Sequence, residues 1–268
     1  MSGSLIGVGI TTRNRHDVLR VGLQHFRNFH QNNIRYVVVD DSSDEPYDSI
    51  VDQFAEDIDI ALLRSQERLG VAAAKNACLA ALSECDEVFL FDDDAWPRSK
   101  EWANRWLDAA SAHQVEHSMY INYLNDIDTL YRIKDTQGSG ETAMNWWSNC
   151  MGLALHFSRK CLDAIGGYDV VNAKNVYGYE HAQVSQRARR AGFTGFSKAA
   201  YASPAIIDEL VYSMDVTCYF HGEPSPYGLP ATCPRTVTPE EIAGSEQNSQ
   251  LMRNQSTFIE LIDPFASR

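Results

Sequence analysis

No stretch of this 268-residue chain approaches the roughly 18 consecutive apolar residues that a membrane-spanning helix requires. The opening MSGSLIGVGITT lacks the charged start and long apolar stretch of a signal peptide, so the expectation is a cytoplasmic protein without a membrane span. Cysteine is present without metal or disulfide spacing. The six residues, Cys78, Cys85, Cys150, Cys161, Cys218 and Cys233, include no C-x-x-C pair, which predicts reduced, mostly buried thiols. A G-x-x-x-x-G-K loop is absent, which excludes the P-loop class of phosphotransferases. Positive charge is in deficit: 23 Lys and Arg against 36 Asp and Glu give a net charge of -13, which disfavours nonspecific binding to nucleic acid or anionic membrane. The densest cationic cluster, Arg187, Arg189 and Arg190, reads as a solvated helix face. There is no internal repeat and no low-complexity segment.

What is present suffices for a sizeable core, since 44% of the residues are hydrophobic. The first half alternates. LIGVGIT (Leu5 to Thr11) and YVVVD (Tyr36 to Asp40) read as buried strands, and between them Val18, Leu19, Leu23 and Phe26 recur at helical spacing after a cap at Asn14 or Asp17. A weaker helix over Asp48 to Glu56, a strand Ile60 to Leu63, a helix Val71 to Leu82 and the strand EVFLFD continue the pattern. This predicts an α/β fold with a mostly parallel sheet flanked by helices. Ligands in such sheets bind beyond the carboxyl ends of the strands. The chemistry-bearing residues stand there: Thr11 to Arg15, Asp40 and Asp41, and Asp92 to Asp94.

The second half is less regular. MYINYL, TLYRI, CMGLALHF and VTCYFHG read as strands, Asp135 to Asn145 as a mobile loop, and Tyr179 or Glu180 to Ala191 as a helix. After the proline-rich EPSPYGLPATCP, a last helix runs from Pro239 to about Arg253, with Thr238 as cap and Glu241 closing a capping box. Its few apolar positions leave packing on the domain and homodimer formation both open. The expected organisation is a domain over 1–225, with a donor half to about 115 and an acceptor half from 116, followed by a C-terminal connection and helix over 226–268.

The stretch FLFDDDAWP places three adjacent carboxylates at the end of a β-prone apolar run. Clustered in a cleft, they require compensating positive charge, for which a hard cation with oxygen ligands is one candidate and a solvated acidic turn the structural alternative. In order, ITTRNR, VVVDDSSD, LGVAAAKNACL, FLFDDDAWP, GGYD and VYGYEHAQVSQRARRAGF resemble the family 2 glycosyltransferases of the GT-A (nucleotide-diphospho-sugar transferase) fold. The resemblance covers roughly Leu5 to Phe193, extending toward His221.

It implies a metal-dependent, inverting transfer of a sugar from a UDP-sugar, with Mn2+ or Mg2+ offsetting charge on the leaving diphosphate. The family's Asp-x-Asp motif falls on Asp92 and Asp94, Asp94 as direct metal ligand and Asp92 toward the donor ribose or sugar, with Asp93 between them. Asp41 stands where the family holds a uracil ring, Thr11 and Arg13 line the same base pocket, and Lys75 takes the place of a common arginine facing phosphate or base. The family's general base lies in a Glu-Asp pair at a helix start. Here the pair is Glu180 and His181, a departure that leaves either residue as base, or neither in a catalytically silent relative that binds nucleotide-sugar or glycan. His221 matches a histidine that completes the metal shell in related folds. Trp146 and Trp147 are candidates for stacking on the acceptor under a closing loop, with a place in the core as the alternative. The acceptor class stays open among glycan, lipid-linked, protein and modified nucleic-acid base, and a nucleotidyltransferase on a similar acidic scaffold is the other enzymatic reading.

Overall fold

The computed structural model describes residues 4–121, 132–172, 179–195, 200–214, 225–229 and 255–266. Five elements open the chain: β1 (Ile6–Thr12), α1 (His16–Asn28), β2 (Ile34–Asp40), α2 (Asp48–Val51) and β3 (Ile60–Arg64). Next come α3 (Val71–Ala81), β4 (Glu87–Asp92), β5 (Ala95–Pro97), α4 (Trp102–Ala112) and β6 (His117–Met119). The strands β7 (Ile133–Gln137), β8 (Met144–Trp147) and β9 (Ala154–Ser158) precede α5 (Arg159–Ile165) and α6 (Tyr179–Ala191). The elements β10 (Tyr201–Pro204), α7 (Ile207–Leu210) and β11 (Val211–Ser213) complete the order.

Six strands form the central sheet in the order β3-β2-β1-β4-β9-β6. The first four are parallel, and β9 runs antiparallel between β4 and β6. Helices cover both faces, so the central strands are apolar on both sides, as their continuous Val, Ile and Phe runs require. Glycine spacing in β1 sets the depth of the helical layer: a side chain at Gly9 would lie 2.5 Å from Cys78 Cβ, so alanine-rich α3 sits close against the strand. The parallel register aligns the strand ends, pairing Thr12 with Asp40, Thr11 with Asp92, and Asp40 with Arg64.

A second, antiparallel sheet, β10-β8-β7, covers a small core of its own built from Ala109, Ala110, Val115, Met144, Trp146, Ala200 and Ala202. The ribbon β11-β5 lies beside the carboxyl end of β4. Segment 255–266 docks on the turn after α5: Gly167 N–H donates to Ile259 O at 2.9 Å, and Ile259 N–H to Ile165 O at 3.1 Å. Gly166, at φ 70, has no room for a Cβ beneath the Ile259 carbonyl.

Several expectations are corrected. Neither Asn14 nor Asp17 caps α1, which begins after Arg15 without a side-chain cap; Asn14, at φ 52, pairs with Asp44 instead. Regular helix after Asp48 stops at Val51, because the segment continues as turns. Most of Asp135–Asn145 is not an open loop but the β7-β8 hairpin around a short turn at 140–142. Arg187 is not on a solvated face: it is 1% exposed and donates from Nη2 to Gly167 O, while Arg189 stacks 4.9 Å over the Tyr201 ring. Cys78, Cys85, Cys150 and Cys161 are buried thiols. His221, Cys218, Cys233, the VTCYFHG strand and the helix from Pro239 lie outside the described residues.

Candidate active site

Strand β4 ends at Asp92, and the turn into β5 holds Asp93 and Asp94. Exposure falls along the three carboxylates, from 35% for the Asp92 side chain to 5% for Asp93 and 2% for Asp94. Charge this enclosed needs partners, and among the described residues Arg15 and Lys75 reach it. Arg15, from the turn between β1 and α1, places Nη1 2.6 Å from Asp93 Oδ1, with Nη1 and Nη2 both 3.3 Å from Asp94 Oδ2. The Thr12 hydroxyl donates to the second Asp93 oxygen at 2.7 Å. The buried Tyr47 hydroxyl lies 3.1 Å from Thr12 Oγ1 and accepts the Arg15 backbone N–H at 2.7 Å.

Lys75 approaches from the other side. Its ammonium is 1% exposed and lies 2.9 Å from Asp92 Oδ1 and 3.2 Å from Gly152 O. Burial opposes the charge, but Asp92, with Tyr168 and Glu180 nearby, outweighs it and raises the Lys75 pKa above the ordinary lysine value. The next residue, Asn76, clamps the backbone of Tyr168 in the GGYD turn, accepting its N–H at 2.7 Å and donating to its carbonyl at 3.1 Å. Helix α3 thereby ties the acidic strand end to the segment leading into α6.

At the start of α6, Glu180 Oε1 lies 3.4 Å from His181 Nδ1. Burial pushes the Glu180 carboxyl up, yet its contact with His181 and the nearby Lys75 charge hold it below the usual range. The His181 ring packs against the backbone of Gly152, where any side chain would meet Nδ1 at 2.6 Å. Gly152 therefore touches Lys75 through its carbonyl and His181 through its bare Cα. The Tyr168 hydroxyl is buried beside Lys75 and Glu180, with no hydrogen-bond partner among the described residues.

Of the residues singled out from the sequence, Asp92, Asp93, Asp94, Lys75, Glu180 and His181 are drawn together. Thr11 pairs in register with Asp92, whereas Arg13 is exposed. Asp41 is turned to the backbone: it accepts from Leu69 N–H at 2.5 Å and from Gly70 N–H at 3.1 Å, holding the turn into α3. Trp146 occupies the core alternative. It is fully enclosed in the small second core, with its indole N–H on Thr194 O at 2.9 Å. Trp147, its neighbour along β8, belongs to the main core at 6% exposure.

Among the described residues no three His, Cys, Asp or Glu side chains converge as a complete metal cage. The donor set nevertheless fits a hard cation that takes one or two carboxylates and completes its shell with phosphate and water oxygens. Arg15 falls within the Thr11 to Arg15 stretch and Tyr168 within GGYD, but the sequence assigned neither a role, and Tyr47 and Gly152 escaped the reading altogether.

Residues 7–168 match the model of Glycosyl transferase family 2, more than half of the chain. The chain belongs to that family. An uncharacterized glycosyltransferase, R363, of Acanthamoeba polyphaga mimivirus is 25% identical over 191 residues, covering 68% of this chain and 72% of the viral one. Among solved structures, the Pyrobaculum calidifontis mannosyltransferase PcManGT in complex with GDP-Man and Mn2+ superposes with a TM-score of 0.57 at 17% identity, over 76% of this chain and 55% of that one. GalNAc-T7 with UDP, GalNAc and Mn2+ gives 0.58 at 13% identity, over 76% and 44%. The S. aureus TarS fragment 1–349 with UDP gives 0.51 at 14% identity, over 68% and 54%. The transferase therefore has a GT-A-type fold, and it spans about half the length of these solved neighbours. No helix among its described residues is long and apolar enough to cross a membrane.

Proposed function

We propose that this family 2 transferase moves a sugar from a nucleoside-diphosphate donor, preferentially a UDP-sugar, to an acceptor hydroxyl by a single inverting displacement. The observation that supports it best is the convergence at the end of β4: Asp92, Asp93 and Asp94 against two cations, with Glu180 and His181 across Lys75. A divalent cation, Mn2+ or Mg2+, when bound would neutralise charge developing on the leaving diphosphate. Asp94 is assigned as its ligand and Asp92 as the carboxylate facing donor and cation. In this reading Thr11 stands at the base end of the same strand edge, Asp41 shapes it by holding the turn at Leu69 and Gly70, and exposed Arg13 lies beside it.

The acceptor must lose a proton as it attacks, and Glu180 is assigned as the general base. Its carboxyl is kept ionised by His181 and Lys75, so it is ready to accept that proton at neutral pH. Lys75 pairs with Asp92 and is close enough to Glu180 for their charges to interact, which couples the two carboxylates electrostatically. The neighbours in complex with nucleotides and Mn2+ lend support to this reading for a shared fold.

Thermal unfolding with UDP, GDP and their sugars, with and without Mn2+, tests the donor site. Nucleotide at about 100 times its dissociation constant adds roughly 2.7 kcal/mol, a shift of several degrees. The expected pattern is a Mn2+-dependent shift, larger for UDP compounds, that Asp94→Ala abolishes and Glu180→Gln retains while losing turnover. A folded wild type that shifts with no nucleotide would sink the donor-site reading.

A further inference from the structure

We propose that Arg15 is an exchangeable counter-ion: it holds the Asp93 and Asp94 carboxylates when the donor site is empty and transfers its guanidinium to the donor diphosphate when cation and nucleotide arrive. This rests on the donor-site reading above and adds a residue and a coupling to it. The starting observation is geometric. Both terminal nitrogens of Arg15 lie 3.3 Å from the same oxygen of Asp94, and Nη1 is 2.6 Å from Asp93. A divalent cation on Asp94 would stand next to that guanidinium, and like charges at such a distance in a poorly hydrated site repel strongly. Cation and Arg15 therefore compete for the acidic turn.

The displaced guanidinium needs another anion. A diphosphate offers paired oxygens that match its planar fork, the geometry in which arginine binds phosphate best. Arg15 is built for such a move. Its backbone is pinned by the Tyr47 hydroxyl at 2.7 Å, while its side chain is 22% exposed and so retains an open side. Lys75 differs in this respect: at 1% exposure it is held between Asp92 and Gly152 O. Of these two cations, the half-open one is the one that can exchange.

The consequence is thermodynamic coupling. Cation alone must pull Asp94 away from Arg15, and nucleotide alone must pull Arg15 away from both carboxylates. Together, each removes the obstacle met by the other, and the two enhancements are equal by linkage. The coupling also disfavours loading with a bare cation, so the site fills with cation and diphosphate as a unit.

Isothermal titration of Mn2+ and UDP, each alone and each in the presence of the other, tests this on wild type, Arg15→Gln, Arg15→Lys and the exposed control Arg20→Gln. Wild type is expected to show mutual enhancement of about tenfold. In Arg15→Gln, Mn2+ alone should bind about tenfold tighter, UDP alone about tenfold weaker, and the mutual enhancement should fall below the wild-type value to the part that direct contact of cation and diphosphate supplies. Arg15→Lys should keep part of the coupling, and Arg20→Gln all of it. If loss of the guanidinium weakens folding, Mn2+ alone should raise the melting temperature of Arg15→Gln more than that of wild type. Coupled binding in wild type that Arg15→Gln leaves unchanged would overturn the exchange while preserving the donor site. Binding of neither ligand by folded wild type would overturn both.

Discussion

At the amino end of β4, Glu87 lies 2.8 Å from His156 Nε2, the other ring nitrogen of His156 lies 3.1 Å from Ser118 Oγ, and that hydroxyl accepts the Trp106 indole N–H at 2.8 Å. At the carboxyl end of the same strand, three aspartates face Arg15 and Lys75. The first network closes. Indole N–H, serine hydroxyl, imidazole and carboxylate follow one another as an unbroken hydrogen-bonded chain. Its acid-histidine-serine order is that of a catalytic triad, but Ser118 is fully buried and serves the fold. The second network differs in kind: among the described residues it sets three carboxylates against Arg15 and Lys75, and Asp92 remains partly exposed. A hydrogen-bonded polar chain of this kind holds a structure together, whereas clustered like charge at a strand's carboxyl edge is where the donor-site reading places its ligand.

Substitutions at the two ends should therefore separate turnover from stability. The largest effect is expected for Asp94→Asn: release of nucleoside diphosphate from the donor should fall about 10²- to 10³-fold, with the folded protein preserved. A comparable melting-temperature collapse in that variant would make the acidic turn structural. Next in size, His156→Ala at the opposite end removes a ring packed against Phe89 and strands Ser118 and Glu87. It should lose about 2–4 kcal/mol, roughly 5–15 °C by calorimetry, with the activity of the remaining folded fraction unchanged. Loss of turnover without loss of stability there would break the contrast.

Much of this division was legible before any coordinates. Continuous apolar runs ending in Thr11, Asp40 and Asp92 mark strands buried on both faces, and their parallel order puts those residues on one edge. The Thr11 to Arg15 stretch was legible but the role of Arg15 was not, because the left-handed Asn14 turns the chain between Arg13 and Arg15, and only the folded turn shows which arginine faces the acids. Trp146 and Trp147 were ambiguous for a related reason. Neighbours on a strand point to opposite faces, and the hairpin that assigns those faces was hidden in a polar, glycine-containing stretch. Buried Arg187 ran against the usual exposure of arginine, and nothing in the RARR sequence marks it.

A more gradual effect than either substitution should appear at the closed end as a pH dependence. His117 stacks on Phe157, its Nδ1 lies 2.7 Å from His156 O, and burial lowers its pKa to about 3. The native ring stays neutral while the unfolded one takes up a proton below about pH 6.5, so its contribution to stability is complete above that value. It is lost as pH falls from there toward about 3, at up to about 1.4 kcal/mol per pH unit. Urea unfolding of wild type and His117→Phe between pH 7 and 4.5 should show the steeper decline in wild type. Equal slopes would mean that His117 is not held neutral.

The finest effect lies between the two ends, at Glu180. A general base works only when deprotonated, so turnover is present above its pKa and falls as pH drops through it. Burial alone would raise the Glu180 pKa; His181 and Lys75 bring it below the ordinary carboxylate value. Removing the imidazole in His181→Gln withdraws the first of these while leaving burial and Lys75 in place. The acidic limb of kcat/KM should then move to higher pH, with little change in the plateau rate above pH 8. An unmoved limb would show that the titrating base is another group. A wild-type limb in the imidazole range that disappears in His181→Gln would transfer the role to His181, and the carboxylate beside it would become the group that orients the ring.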